Sequence, residues 1–445
     1  MPYIPHTAQD TKEMLETIGV SSIDELFAQV PEGLKVKGEL NIPSALDEHR
    51  LLAHLAKTAR TNKQSLNDLV CFLGAGIYDR YIPSTVAAVI GRGEFLTAYT
   101  PYQPELSQGY LQTIYEFQSM VAELFGTDVA NASMYDGATA AGEAAILAYG
   151  HNGRAKVVVS EAVHPHYRQV VETYCWAMSL TVETARTSKD DGMTELSTLG
   201  EDAACLIIQY PNFFGAIEDL KAAREAARSA GCLLIVVADP IACALLQPPG
   251  SFDADIVVGE AQGMGIPMGF GGPLCGLFGC KRDLVRRIPG RIVGRTTDQE
   301  GNSGFVMTLR TREQDIRREK ATSNICTNQA LMALAATVYM EALGKNGMRQ
   351  IAENTVRNTQ YAMARLKAAG AKVRFSGRVF GEFVLDVGRP APDVQLALLD
   401  QGILAGLPLG PYYPGMENCM LVAVTETRTR AQIDDYAAKL APLLA

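Results

Sequence analysis

ADIVVGEAQGMGIPMGFGGP, residues 254 to 273, joins an unbroken apolar run to a loop built from glycines and prolines. Apolar residues without polar alternation suit a strand covered on both faces, the burial that a parallel sheet between helices imposes. KVVVS (156 to 160), CLIIQY (205 to 210) and LLIVVAD (233 to 239) share the pattern. Between them lie helical segments, TAAGEAAILAYG after residue 138 and DLKAAREAARSAG ending at Gly231, so an α/β domain is predicted from about Val70 to Arg282. CGLFGC (275 to 280) follows ADIVV too closely for a helical crossover and is expected to join the sheet antiparallel. Ligands of such sheets sit beyond the carboxyl ends of the strands, where the glycine-rich loop lets backbone approach a ligand and places Gln262.

Outward from this core, HTAQDTKEMLETIG carries a cap at Thr7, Asp10 three residues on and Gly19 at its end, and SSIDELF repeats the pattern from Ser22. A third helix is expected from Ser44 through EHRLLAHLAKTA. Such an arm buries little alone and is expected to wrap another domain or subunit. Beyond residue 326, a long helical stretch precedes FGEFVLDV (380 to 387), a helix near 393 to 400 and MLVAVTE (420 to 426), an α+β pattern. The expected organisation is a helical arm over 1 to 69, a large α/β domain over 70 to 325, and an interdomain helix with a smaller C-terminal domain over 326 to 445.

With 445 residues, 47% of them hydrophobic, the chain can bury more than one core. No window reaches the roughly 20 apolar residues of a membrane span and MPYIPHTAQD lacks the design of a secretory signal, so a cytoplasmic protein is expected. Nine scattered cysteines read as reduced core residues, and six histidines show no metal-ligand spacing. A net charge of -9 argues against a nucleic-acid partner. Lys281 to Lys320 departs from that balance: eleven basic against six acidic residues leave +5 locally and -14 elsewhere. Salt bridges explain single arginines, but the cluster equally suits an anionic partner.

Four positions at the carboxyl end of the sheet carry chemistry. Gly137 opens a helix, a place for phosphate. His164 and Asp239 follow strands, though either could be a plain helix cap. Gln262 follows ADIVV. Their order resembles the pyridoxal-phosphate enzymes of fold type I, in which the helix start holds phosphate, the histidine stacks on the ring, the aspartate pairs with the pyridine nitrogen and a lysine forms the internal aldimine. Gln262 cannot form an imine, and Asp136 stands where a small hydroxyl residue is usual and would repel a phosphate. On this reading Asp136, His164, Asp239 and Gln262 are vestigial cofactor positions.

FLGAGIYDRYIP (72 to 83), EFLTAYTPYQPELSQG (94 to 109), DVANASMYDGATA (128 to 140), RIPGRIVGRTTD (287 to 298) and REKATSNICTNQAL (318 to 331) resemble the glycine cleavage system P-proteins, on the alpha-subunit branch of the two-chain form. There a paralogous second subunit carries the lysine in a loop like HKTFCIPHGGGGP, which sets that lysine opposite Gln262. The resemblance implies glycine decarboxylation with transfer of the aminomethyl group to the lipoyl group of the carrier H-protein. It also implies two copies of each subunit, with pyridoxal phosphate bound covalently by the partner.

This chain would then complete its partner's pocket. The candidates are Tyr99, Tyr102 and Gln103 in AYTPYQPE, Tyr135 beside the helix start, and Arg318, Lys320, Thr322, Ser323 and Asn324 in KATSN and its approach. Ordinary turns, helix caps and a core tyrosine are the competing readings. Arg317 and Arg318 are expected to pair with the catalytic subunit. The alternatives are a self-sufficient homodimer using Lys281 or Lys320 as the imine lysine, and a non-catalytic scaffold that docks the lipoyl carrier.

Overall fold

A computed structural model describes residues 5–62, 68–196, 199–321 and 323–444. The chain divides into two compact units, residues 1–63 and 64–445. In the first, helix Ala8–Ile18 begins with a reciprocal Thr7–Asp10 capping box and ends at Gly19 with φ 87°. SSIDELF is only a 3-10 helix, Ile23–Phe27, capped by Ser22. The third helix starts later than expected, at Glu48, because the Asp47 side chain rather than Ser44 accepts the N–H of Arg50. None of these helices contains a buried residue.

The second unit is built on a seven-stranded sheet in the order Val129–Ala130, Gly276–Cys280, Ile256–Glu260, Leu233–Ala238, Ala203–Tyr210, Lys156–Ser160 and Thr181–Ala185. The strands from Ile256–Glu260 to Thr181–Ala185 are parallel, and Gly276–Cys280 is antiparallel to Ile256–Glu260, as the short connection requires. Two hydrophobic clusters, one on each face, cover the sheet: Leu206, Val236 and Val257 point into one, and Ile207, Ile235 and Val258 into the other. That two-sided burial is why these strands read as unbroken apolar runs.

A break at Gly344 (φ 59°, ψ -178°) divides the long helix Ala330–Ala368 into the two stretches expected. It leads to a four-stranded antiparallel sheet ordered Lys372–Val373, Glu382–Asp386, Cys419–Ala423, Leu407–Pro408. Val70–Cys71 pairs in parallel with Ile403–Leu404, and Phe72 lies in the hydrophobic cluster of this small sheet.

Sequence reading overlooked the hairpin Ile292–Thr297 and Ser303–Thr308. Its turn is held by Asp298 Oδ1, which accepts the N–H groups of Glu300 and Asn302. Counting arginines there hid the alternation of side chains. All nine cysteines are free thiols, and eight are buried; Cys326 corrects the core reading, because it is exposed. No helix among the described residues is long and apolar enough to cross a membrane.

Candidate functional site

The loops after Ser160, Ala238 and Glu260, with the start of helix Gly137–Asn152, meet at the carboxyl end of the parallel strands. Gln262 is 2% exposed. Its Oε1 accepts the N–H of Tyr78 at 2.8 Å, while Nε2 donates to the carbonyls of Tyr78 at 3.1 Å and Ile266 at 2.9 Å. The amide is therefore a backbone clamp on residues 76–81, a use that needs an acceptor and donors together and that no lysine can reproduce.

At the helix start two carboxylates take the places a phosphate would use. Glu260 Oε2 accepts the N–H of Gly137 at 3.0 Å, and Asp136 Oδ1 accepts that of Thr139 at 2.7 Å. Glu260 Oε1 also accepts from Gln262 and Cys275, at 3.0 and 2.9 Å. Burial raises the Glu260 carboxyl to about 7, against the pull of those backbone donors. Tyr167 closes the approach: a Cβ built on Gly137 would lie 2.3 Å from its hydroxyl.

His164 and Asp239 are both helix caps, and both hold new partners. His164 Nδ1 accepts the N–H of His166 at 3.1 Å, and Nε2 bonds the Ala75 carbonyl at 2.8 Å, which places the proton on Nε2. Burial pushes this histidine down to about 4, so the ring is neutral. Asp239 Oδ1 accepts from Ile241 and Ala242 at 2.7 and 3.3 Å. Its other oxygen faces Arg80 Nη2 at 3.9 Å, a guanidinium that also binds Glu426 at 2.7 Å. Tyr78 donates its hydroxyl to Glu382 Oε2 at 2.8 Å, and Ala75 N–H donates to Oε1 at 2.7 Å. Three of the four positions read as vestigial, His164, Asp239 and Gln262, are thus at work in binding residues 75–81, and the fourth, Asp136, caps its own helix through Thr139.

What remains between Gly76, Tyr78, Arg80, His164, Asp239 and Glu260 is a cavity of about 50 Å³. Cofactor-sized sites run to roughly 300–1,000 Å³. Arg80 stands against the aspartate expected to meet a protonated pyridine nitrogen, carboxylates hold the helix-start N–H groups expected to meet a phosphate dianion, and Gln262 offers an amide that cannot form an imine. The residues present do not fit pyridoxal phosphate. Lys281 offers no substitute: its ammonium bonds Asp253 and Asp255, both at 2.7 Å, beyond Cys280, which pairs with Ile256 at the opposite end of the sheet.

A second group of predicted residues forms a separate neighbourhood. Leu96, Tyr99, Tyr102 and Leu106 are 56, 76, 47 and 82% exposed along one loop, with Gln103 exposed as the cap of the 3-10 helix Pro104–Leu106. The Tyr102 ring lies between Arg291 and Arg310, whose guanidinium carbons are 5.5 and 5.3 Å from its centroid. Buried Arg291 reaches Asn328 Oδ1 at 3.5 Å, and Asn328 donates to Ser133 Oγ at 2.9 Å. Tyr135 joins the same neighbourhood, its hydroxyl accepting the N–H of Cys326 at 3.1 Å. Ser323 Oγ accepts from Ile325 N–H at 3.1 Å; Asn324, Arg318 and Lys320 are exposed, and Thr322 lies outside the described residues. Thr100 Oγ1, Arg291 Nε and Glu313 Oε1 are enclosed with no hydrogen-bond partner among the described residues.

Sequence reading missed Tyr78, Arg80, Glu260, Glu382 and Arg291. Glu260 stood in view, as the carboxylate ending the strand ADIVVGE and directly ahead of the loop. Tyr78, Arg80 and Glu382 act across separations of roughly 160 to 350 residues, and Arg291 meets Tyr102 across 189, which local pattern does not report.

The family model described as glycine cleavage system P-protein matches residues 1–440. The chain is 52% identical over 442 residues to the probable glycine dehydrogenase (decarboxylating) subunit 1 of Geobacillus kaustophilus, covering 98% of each. It is 51% identical over 442 residues to the protein of the same name from Anoxybacillus flavithermus, again 98% of each. The crystal structure of an inhibitor-bound glycine decarboxylase (P-protein) of the glycine cleavage system superposes with a TM-score of 0.91 at 41% identity, covering all of both chains. A cysteine desulfurase from Thermococcus onnurineus shares the fold alone, with a TM-score of 0.64 at 15% identity over 87% of this chain and 98% of that one. The architecture is that of the fold type I pyridoxal-phosphate enzymes, and the chain belongs to the glycine cleavage system P-protein family.

Proposed function

We propose that this chain is the subunit of a glycine-decarboxylating P-protein that forms no covalent bond to the cofactor, and that it acts by completing the site of a catalytic paralogue. One observation carries the reading: in a P-protein fold, the place of the imine lysine is held by an amide fastened to the backbone of Tyr78. The coenzyme, bound by the partner, supplies the electron sink for decarboxylation. This chain's residues bind and orient. Tyr99, Tyr102 and Gln103 stand on a proline-stiffened loop, with Tyr102 held between two guanidinium groups. Arg318 and Lys320, with the hydroxyl of Ser323, bring positive charge and a donor to the neighbouring chain's phosphate; Thr322 and Asn324 belong to the same stretch.

The complex on this reading holds two copies of each subunit, passes the aminomethyl group to a lipoylated H-protein and works in the cytoplasm. Mixing the purified chain with its paralogue and following release of carbon dioxide from carboxyl-labelled glycine is the direct test. Activity that needs both chains supports the reading; release by this chain alone refutes it.

A further inference from the structure

The side of the large domain formed by the end of helix Gly137–Asn152 and residues 283–323 carries a groove of about 640 Å³. Arg286, Arg287, Arg312, Arg317 and Lys320 line it. Among the described residues none of these five forms an ion pair, although Glu143 and Asp283 line the same groove. Their neighbours do: Arg310 pairs with Asp315 at 2.6 Å and Arg291 with Glu313 at 3.8 Å.

Backbone carbonyls hold three of the guanidinium groups in place. Arg287 Nη1 donates to Gly150 at 2.6 Å, in the last turn of the helix, and Arg317 Nε donates to Thr311 at 3.1 Å. Arg312 Nε and Nη2 donate to Leu309 and Gly290 at 3.0 and 2.9 Å, and Nη1 to Ile288. Burial lowers the Arg312 pKa, the mark of a charge taken from water without full compensation. In a chain of net charge -9, five cations that outnumber the two carboxylates of the same groove, Glu143 and Asp283, with three of them fixed by backbone carbonyls, are a binding feature rather than a solvated face.

The groove's other walls set the kind of partner. Ile146, Leu147 and Met178 supply an apolar floor. At the same helix end as Met178 stands Trp176, the chain's single tryptophan, 80% exposed; Ile316, between two of the arginines in sequence, is 50% exposed. Tryptophan, methionine and arginine are the residue types that concentrate at protein interfaces. A small polyanion would call for cations converging on one point, and it would leave these apolar groups unused.

We infer that this groove docks a carboxylate-rich segment of another polypeptide, with acidic side chains on the arginines and apolar ones on the Met178 floor. Lys320 and Ser323 border both this groove and the stretch assigned above to the neighbouring chain, but Arg286 and Arg287, whose replacement tests the groove, take no part in the function proposed above.

Trp176 provides the readout. The intact chain is titrated with a short peptide of interspersed glutamates and leucines while tryptophan fluorescence is followed. The expected result is a saturable change whose affinity weakens on raising salt from about 0.05 to 0.5 M, because exposed charge pairs are screened. The Arg286→Glu/Arg287→Glu double variant should bind at least about tenfold more weakly. Arg349→Glu, on the exposed face of the long helix, should bind as the parent does. Circular dichroism and melting curves matched to the parent establish that each variant is folded. No saturable response, equal binding by the double variant, or equally effective competition by inorganic phosphate or a single-stranded oligonucleotide overturns the inference.

Discussion

Replacing Gln262 by lysine restores the residue that imine chemistry requires, yet the surroundings predict damage rather than gain. The Tyr78 N–H, 2.8 Å from Oε1, loses its acceptor, because an ammonium group has none to offer. A buried donor left unpaired costs about 1–3 kcal/mol. The ammonium would occupy a position that is 2% exposed, and the adjoining carboxylate of Glu260 already accepts three backbone N–H groups. Burial of a charge so placed raises the total to on the order of 3–5 kcal/mol. At roughly 2 °C per kcal/mol for a unit of this size, Gln262→Lys should melt about 6–10 °C below the parent. The assay is thermal and chemical denaturation, followed by incubation with pyridoxal phosphate, borohydride reduction and mass measurement of the intact chain. No covalent coenzyme should appear, since the cavity of about 50 Å³ still holds Arg80 and Tyr78. A variant that melts with the parent and retains the coenzyme after reduction would refute the account of the site.

Removing the guanidinium with Arg80→Ala strands Glu426 and Asp239 without their cation and should destabilise the chain by about 3–5 kcal/mol; a urea midpoint within error of the parent would contradict the role given to the pair. Glu143 is 4% exposed, and burial lifts its carboxyl to about 7, above the unfolded value near 4.5. Its stabilising contribution is therefore complete below pH 4.5 and disappears as pH rises through 7. Glu143→Gln should accordingly flatten the loss of stability between pH 5 and pH 8, by up to about 3 kcal/mol, as read from denaturation at both values. Tyr99→Ala should leave the isolated chain's stability within about 0.5 kcal/mol, because the residue is 76% exposed, while lowering decarboxylation by the mixed subunits about tenfold or more. Equal turnover with the variant would remove Tyr99 from the shared site.

The parallel sheet was legible because burial on both faces leaves its mark on every strand residue, as KVVVS and CLIIQY show. Caps were legible where side chain and target lie three residues apart, at Thr7 and Ser22, whereas Asp136, read as a vestigial cofactor position, turned out to be a cap of the same kind. Gln262 signalled the missing imine, but nothing nearby said that its amide was engaged. That engagement depends on Tyr78, 184 residues earlier. His164 and Asp239 could be placed at strand ends from sequence, yet their status as relics could not be judged without Ala75 and Arg80 beside them. The hairpin at Ile292–Thr308 shows another limit: arginine and threonine on its exposed edge drew attention to charge and away from a two-residue period.

Glu260 has a consequence for substitutions in this loop. With a carboxylate accepting the N–H groups of Gly137, Gln262 and Cys275 together, the seat at this helix start has a permanent tenant. Exchanging Gln262 alone meets that tenant, and exchanging Glu260 alone leaves three buried donors facing nothing. Each single exchange is less stable than the present state, so one glutamate works as the pawl of a ratchet that keeps an amine out of this loop.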